Sequence, residues 1–142
     1  MTVSLNTMTD SPYRGSCLCG GIHFEVSSDI EAVSHCHCSM CRKAHGAAFA
    51  TYGSVRRENH TFTQGQPLLR QFQSSKLVVR TFCGTCGSPM LWHSEGQFAD
   101  RMSFPLGALD TPYIAPGHKH IHFASKAPWY DIEDDWPQAQ QY

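Results

Sequence analysis

Residues 82–88 read Phe-Cys-Gly-Thr-Cys-Gly-Ser. Two residues between the cysteines let the chain curl around a metal ion, and Gly84 and Gly87 are expected to permit the backbone φ values of such a turn. A structural zinc site takes four tetrahedral ligands, so Cys83 and Cys86 provide half of one. A second pair of ligands must therefore come from elsewhere in the chain.

The chain contains seven cysteines, and all of them lie in three short groups. Besides the pair at 83–86, these are Cys17-Leu-Cys19 and Cys36-His-Cys38-Ser-Met-Cys41. In an extended segment alternate side chains share a face, so each Cys-x-Cys presents two sulfurs to one side. Three protein ligands leave a coordination position for water or substrate, so an open site is where we predict chemistry. The spacing favours four plus three: a closed site of Cys17, Cys19, Cys83 and Cys86, and an open site of Cys36, Cys38 and Cys41.

Two other arrangements of the cysteines stay open from spacing alone. Cys38, Cys41, Cys83 and Cys86 could form a single four-thiolate zinc ribbon, which would leave the other thiols as core residues and remove the catalytic site. A Cys-x-x-Cys pair also suits disulfide exchange, which would make the protein a thiol-redox enzyme. Metal ligands should resist alkylation until a chelator is added, whereas a redox pair should react in the native protein.

Length and composition limit the classes of protein to consider. A chain of 142 residues with 41% hydrophobic and 16% charged residues suits one globular core. Its net charge of −1 argues against a nucleic-acid partner. No apolar stretch approaches the roughly 18 residues of a membrane span, and the first residues lack the pattern of a secretory signal. We therefore expect a cytoplasmic protein with no membrane partner, whose cysteines are reduced and available to metals.

Short segments rich in β-branched and aromatic residues, separated by glycine, proline and serine, predict a mainly β fold. One short helix is predicted over 39–45, with Ser39 as its N-cap and Gly46 at its end. The domain interpretation is a flexible leader over 1–12, a single domain over 13–130 and a C-terminal surface tail over 131–142. Strands are expected at 22–27, 33–38, 48–52, 69–73, 77–83, 90–93, 102–106 and 120–123.

Several longer stretches carry a resemblance to a known family. They are Gly15-Ser-Cys-Leu-Cys-Gly-Gly-Ile-His-Phe-Glu-Val26, Cys36-His-Cys-Ser-Met-Cys-Arg-Lys-Ala-His-Gly-Ala-Ala-Phe49, Phe82-Cys-Gly-Thr-Cys-Gly-Ser88, Gly107-Ala-Leu-Asp110 and His122-Phe-Ala-Ser-Lys-Ala-Pro-Trp129. Together they resemble the glutathione-dependent formaldehyde-activating (GFA) family, to which centromere protein V (CENP-V)-like domains also belong. The resemblance implies an Mss4-like fold of short antiparallel sheets with zinc-binding cysteine turns.

The same resemblance implies two Zn²⁺ ions per chain and a reaction. The activity is that of a carbon–sulfur lyase, which forms S-hydroxymethylglutathione reversibly from formaldehyde and glutathione. The partner would be a small thiol such as glutathione, or a thiol–aldehyde adduct. The alternative is a non-enzymatic zinc-binding adaptor of the CENP-V type. The resemblance gives a structural-zinc role to Cys17, Cys19, Cys83 and Cys86, and a catalytic-zinc role to Cys36, Cys38 and Cys41.

Ligand chemistry favours a thiol over hydrolytic water at the open position, because thiolate surroundings suit a further soft ligand. Arg42, Lys43 and His45 follow Cys41 and could partly neutralise the site, although a solvated helix face is the simpler explanation of the first two. If the first two cysteines of the middle group face the metal along a strand, the histidines beside them point away and pack behind it. Structural roles are also favoured for two later histidines that could close a pocket. Both pairs together, here called the flanking histidines, are His35 and His37 beside the cysteines and His120 and His122 later in the chain.

Overall fold

The structure is a computed structural model that describes residues 12–142. The predicted leader over 1–12 lies outside the described residues except for Pro12. Within the described range, the model has no helix whose length and apolar character would let it cross a bilayer. The architecture is mainly β, as the sequence predicts.

Ten β-strands and one α-helix account for the regular structure of residues 12–142, apart from short 3₁₀ turns. The smaller sheet has the strand order β1-β2-β5, and the larger has the order β10-β3-β4-β9-β8-β7-β6. Neighbouring strands run antiparallel except for β10 and β3, which are parallel. The elements are β1 (Tyr13–Ser16), β2 (His23–Val26), β3 (Ala32–Cys36), α1 (Ser39–His45), β4 (Ala50–Arg56), β5 (His60–Gln64), β6 (Leu69–Gln73), β7 (Val78–Cys83), β8 (Pro89–Ser94), β9 (Arg101–Pro105) and β10 (Lys119–Ile121).

Two strands, β1 and β5, are missing from the sequence-based prediction. Both are short and polar, and both flank β2, to which they are joined by backbone pairing. Gly15 of β1 pairs with Phe24, and a Cβ at Gly15 would lie 2.2 Å from the Phe24 ring. This edge of the smaller sheet therefore depends on the close approach of β1 to β2, which a pattern of hydrophobic residues does not indicate.

The hydrophobic residues form two separate clusters. The larger cluster is centred on fully buried Phe24, Phe104 and Met90, and it includes Cys17 and Cys83. The smaller cluster consists of Cys36, Cys41, Ala50 and Tyr52, with Trp92 and Ile121 packed against it. The first and third cysteine groups thus belong to one core and the middle group belongs to the other.

Helix α1 begins at the middle cysteine group. The prediction that Ser39 is the N-cap is wrong: Cys38 occupies that position, and its Sγ accepts a hydrogen bond from the Cys41 backbone N–H at 3.2 Å. The Cys38 sulfur therefore faces Cys41 and also accepts one of the backbone N–H groups that have no partner within the helix. The predicted end is confirmed, because Gly46 has φ 60° and its N–H donates to the Arg42 carbonyl.

The C-terminal segment returns along β10, at the edge of the larger sheet. The His120 N–H donates to the Pro137 carbonyl, and the Ala139 N–H donates to the His120 carbonyl, each at 2.8 Å. The Trp136 ring stacks on His118 with a centroid separation of 5.0 Å. Residues 131–142, which are mostly exposed, are thereby held against the sheet.

Candidate metal sites and the cavity beside them

The four outer cysteines form one cluster. The Sγ atoms of Cys17, Cys19, Cys83 and Cys86 all lie within 4.8 Å of one another. The distance from Cys17 Sγ to Cys19 Sγ is 3.5 Å, and from Cys19 Sγ to Cys83 Sγ it is 3.9 Å. Sulfurs bound tetrahedrally at about 2.3 Å from a zinc ion are about 3.8 Å apart. This donor set therefore fits a closed four-thiolate metal site.

The first half of this cluster is a turn, whereas the sequence interpretation placed its two cysteines along an extended segment. The Gly20 N–H donates to the Cys17 carbonyl at 3.0 Å, and the Ile22 N–H donates to Cys17 Sγ at 3.3 Å. Although burial opposes the change, that hydrogen bond lowers the pKa of Cys17. Cys17 and Cys19 converge as predicted, but through turn geometry rather than strand alternation.

The second half of the cluster is the turn between β7 and β8. Gly87 has φ 80° and its N–H donates to the Cys83 carbonyl, which confirms the prediction that this glycine permits the backbone φ of the turn. The same prediction is wrong for Gly84, which does not have a positive φ. A Cβ at Gly84 would instead lie 2.8 Å from the Arg70 side chain. Gly84 is needed for space and Gly87 for backbone conformation.

The three middle cysteines form the second cluster. Their Sγ atoms also lie within 4.8 Å of one another. Cys36 and Cys41 are buried, with 4% and 2% of their surface exposed, while Cys38 is partly exposed. Hydrogen bonds from the thiols of Cys36 and Cys41 lower the pKa of Cys38, although burial opposes the change. Three sulfurs, one of them readily ionised, could hold a soft metal ion and leave one coordination position open.

The single-ribbon alternative is wrong. Cys38 and Cys41 share a cluster with Cys36, while Cys83 and Cys86 share one with the early pair. All seven cysteines are free thiols in the structure. The geometry thus groups the cysteines as four and three, which is the division that the spacing favours.

A cavity of about 720 Å³ opens beside the three-cysteine cluster. Its volume is within the roughly 300–1,000 Å³ of small-molecule sites. All three middle cysteines line it, and none of the outer four does. The lining is predominantly apolar, and it includes Val33, Val78, Trp92 and Ile121. The second cluster is therefore accessible to a ligand of substantial size.

Two residues that the sequence analysis missed, Tyr52 and Arg80, line this cavity beside Cys41. Tyr52 Oη is 3.6 Å from Cys41 Sγ, and Arg80 Nη2 donates to the same sulfur at 3.6 Å. Arg80 Nη1 donates to Tyr52 Oη at 3.3 Å. A guanidinium only donates, so the phenol proton remains available for another acceptor. The signal in the sequence is a charged residue within β7, where most of the other residues are apolar.

His45, a candidate from the sequence, is linked to the site through Tyr52. Its Nε2 is 3.2 Å from Tyr52 Oη. Burial, assisted by the charge of Arg80, lowers the pKa of His45. Burial and the neighbouring Cys41 raise the pKa of Tyr52, so the phenol keeps its proton at neutral pH. Lys43 is exposed, consistent with a solvated helix face.

The flanking histidines mostly lie behind the cluster. His37 is fully buried, and its Nε2 is 2.8 Å from His120 Nδ1. The other ring nitrogen of His120 contacts the Asp134 carboxylate at 3.0 Å. His35 contacts Thr51 Oγ1 on the same side of the sheet at 2.8 Å. His122 alone among these histidines lines the cavity.

The chain is a small, mainly β protein with two cysteine clusters that could hold metal ions, one of them closed and one facing a cavity. The family model described as "Glutathione-dependent formaldehyde-activating enzyme" matches residues 12–125. The chain belongs to this family. The resemblance seen in the sequence is confirmed, and the family name indicates an enzyme of formaldehyde and glutathione chemistry.

Two individual proteins are similar to this chain. The chain is 25% identical over 127 residues to a Halomonas elongata protein named "Putative glutathione-dependent formaldehyde-activating enzyme", and the match covers 84% of this chain and 80% of that protein. A crystal structure of a Rhodobacter sphaeroides protein superposes with a TM-score of 0.59 at 21% identity, covering 70% of this chain and 90% of that one. The second similarity shows a shared fold.

Proposed function

We propose that the protein is a zinc-dependent carbon–sulfur lyase, which adds a small thiol such as glutathione reversibly to formaldehyde or a related small aldehyde. The observation that carries this proposal is the position of three clustered cysteine sulfurs on the wall of a cavity of about 720 Å³. Membership of the GFA family supports it, because the family name describes formaldehyde activation that depends on glutathione.

Two zinc ions per chain are part of the proposal. Cys17, Cys19, Cys83 and Cys86 would hold a structural ion, which ties the turn after β1 to the turn after β7. Cys36, Cys38 and Cys41 would hold the catalytic ion, whose bound form supplies a position where a substrate thiol loses its proton and is oriented. The three-ligand site is the one that loses its metal more readily.

The chain's own contribution to the reaction comes from Tyr52 and Arg80. Addition forms one carbon–sulfur bond, breaks the carbonyl π bond and transfers the thiol proton to the former carbonyl oxygen, so no oxidant or reductant is needed. The Tyr52 hydroxyl would donate a hydrogen bond to that oxygen as negative charge develops on it. The guanidinium of Arg80 would add positive charge beside the same position. His45 would orient the phenol from behind.

A reducing compartment such as the cytoplasm would keep the seven cysteines as thiols that can bind metal. Residues 13–130 would form the catalytic domain and 131–142 its surface tail. No nucleic acid or membrane is proposed as a partner.

The test is an exchange measurement at equilibrium on the zinc-loaded protein. Nuclear magnetic resonance exchange spectroscopy would follow glutathione, hydrated formaldehyde and S-hydroxymethylglutathione as they interconvert. We expect the wild-type protein to accelerate the exchange in proportion to its concentration. Cys38→Ser should fold, bind about one zinc ion fewer per chain and give only the uncatalysed rate.

The matched control is Cys38→Ser against wild-type protein at equal total zinc, because free zinc alone can affect thiol chemistry. A protein with two zinc ions per chain that does not accelerate exchange with any small thiol or aldehyde would overturn the lyase proposal. That outcome would favour the zinc-binding adaptor.

A further inference from the structure

Two strained residues meet at one ring on the wall of the cavity. Phe98, with φ 68°, and His122, with φ 51°, are the non-glycine residues with positive φ in the described part of the chain. Their rings both contact Tyr142 edge-on, with centroid separations of 5.3 Å and 4.7 Å. All three residues line the cavity. Left-handed backbone is unfavourable for bulky side chains and concentrates where proteins hold ligands.

Tyr142 is held in this place by backbone hydrogen bonds. The His122 N–H donates to the Gln141 carbonyl at 2.6 Å, and the Phe123 N–H donates to the Ala139 carbonyl at 3.0 Å. Tyr142 lies outside residues 12–125, which match the family model. The chemistry shared across the family therefore does not account for this ring.

The two larger rings retain much exposed surface. Phe98 is 41% exposed and Tyr142 is 49% exposed, although both line a concave wall. Trp92, Val78 and Ile121 also line the cavity, so an apolar group placed there would contact apolar side chains on more than one side. Burial of apolar surface and edge contacts between rings would both favour such a group.

The charged groups of the lining are Glu31, Arg80, Arg101 and Lys119, of which Lys119 is exposed. Arg101 forms an ion pair with Glu31, and Arg80 donates to Cys41, Tyr52 and Ser74. Formaldehyde contributes a single carbon and fills little of 720 Å³. Glutathione carries two carboxylates, an ammonium group and no ring, so neither substrate of the family name would cover the exposed rings of Phe98 and Tyr142. An apolar group of aromatic size would cover them.

We propose that the substrates of this site carry an apolar group of aromatic size, on either side of the carbon–sulfur bond, and that Phe98 and Tyr142 hold it. The proposed function supplies the carbon–sulfur chemistry on which this substrate class rests. Phe98 and Tyr142 thus determine specificity, while Tyr52, Arg80 and the zinc ligands serve the reaction itself.

Calorimetric titration of the zinc-loaded protein tests this substrate class. We expect phenylmethanethiol to bind about tenfold more tightly than 2-mercaptoethanol or glutathione. Tyr142→Ala should remove most of that preference, a loss of about 1.4 kcal/mol, and leave the affinity for 2-mercaptoethanol unchanged. Tyr142→Phe, which keeps the ring, should retain the preference. Trp129→Ala is the matched control, because Trp129 is 69% exposed and does not line the cavity.

Equal affinities for phenylmethanethiol and 2-mercaptoethanol in the wild-type protein would overturn the substrate class, whatever the exchange assay shows. An unchanged preference in Tyr142→Ala would likewise overturn the role of the rings. If phenylmethanol binds as tightly as phenylmethanethiol and Tyr142→Ala weakens both, the apolar group is supported. The thiol chemistry of the proposed function would then be the part that fails.

Discussion

The two cysteine clusters have the same kind of donor atom but opposite surroundings. In the outer cluster four sulfurs lie within 4.8 Å of one another, and two of them, Cys17 and Cys83, belong to the larger core. In the middle cluster three sulfurs lie equally close, and all of them line the cavity. Four donors complete a tetrahedron and three do not. In the proposed function, the absence of a fourth sulfur beside the cavity is what distinguishes the reactive cluster from the structural one.

The positions of the clusters in the chain reinforce this contrast. The outer cluster joins residues 17–19 to residues 83–86, so a bound metal would link distant parts of the sequence. The middle cluster lies within residues 36–41, a short segment that joins the end of β3 to the first turn of α1. Loss of metal should therefore damage the fold at the outer cluster and leave it largely intact at the middle one.

The largest expected effect follows from Cys83→Ser, which should leave the protein unfolded or aggregated. Cys83 is fully buried, so the variant loses a proposed ligand and places a hydroxyl in the core. Structural zinc contributes about 10–16 kcal/mol of apparent binding free energy in zinc-finger peptides, which is comparable with the whole stability of a domain. Circular dichroism and thermal melting of Cys83→Ser beside Cys38→Ser measure the contrast. Equal melting temperatures for these two variants would contradict the expected difference between the outer and the middle cluster.

The second largest effect concerns acid and the core that includes the outer cluster. His60 stacks on Phe24 with a centroid separation of 5.1 Å, and its buried Nε2 has no hydrogen-bond partner. Burial lowers the pKa of His60 from 6.5 to about 4. Below pH 6.5 His60 therefore binds a proton in the unfolded chain but not in the folded protein. The free energy of unfolding falls for this reason as the pH decreases towards 4. His60 alone contributes up to about 3 kcal/mol to this loss.

His60→Leu removes that titration while keeping an apolar side chain among the rings. Relative to wild-type protein, the variant should gain stability between pH 7 and pH 4.5, by up to about 3 kcal/mol. Urea unfolding at each pH gives the difference between the two proteins. Acid also releases metal from thiolates in both, so the difference is the informative quantity. Parallel curves would show that His60 does not make the larger core acid-sensitive.

The sequence predicts the cysteine groups well because chelation and side-chain alternation act over a few residues. The features that the sequence does not predict have a common physical cause, because they depend on contacts between residues far apart in the chain. Strands β1 and β5 exist through pairing with β2, and neither has a hydrophobic pattern of its own. Tyr52 and Arg80 lie on β4 and β7, which β9 and β8 separate in the sheet order. They meet only in the assembled sheet, which no local sequence pattern indicates.

Tyr52→Phe tests the proposed role of the middle cluster in the reaction. The variant keeps the ring, which packs in the smaller core, and loses only the hydroxyl near Cys41 and Arg80. We expect the catalysed exchange rate to fall about 10- to 100-fold, since oxyanion donors have effects of this order or larger. Zinc content and thiol affinity should stay unchanged. Tyr113→Phe, remote from the cavity, is the control, and an unaltered rate in Tyr52→Phe would exclude the proposed hydrogen bond.

The smallest effect separates the two tasks of Cys38, which caps α1 and lines the cavity. Cys38→Ser and Cys38→Ala should both lower zinc content by about one ion per chain and abolish catalysis. Serine provides an oxygen that can accept the Cys41 N–H, whereas alanine leaves that N–H without an acceptor, a cost of about 1 kcal/mol. The melting temperature of Cys38→Ala should therefore lie about 3–4 °C below that of Cys38→Ser.

Both Cys38 variants lack the same proposed metal, so the difference between their melting temperatures isolates the cap. Equal melting temperatures would show that the sulfur contributes nothing to the helix terminus. A zinc content equal to that of the wild-type protein in Cys38→Ser would show that Cys38 is not a metal ligand. That result would contradict the proposed difference between the two clusters. The Cys38 sulfur has a local role in the helix and the middle cluster lies within residues 36–41, whereas the outer cluster joins residues far apart in the chain.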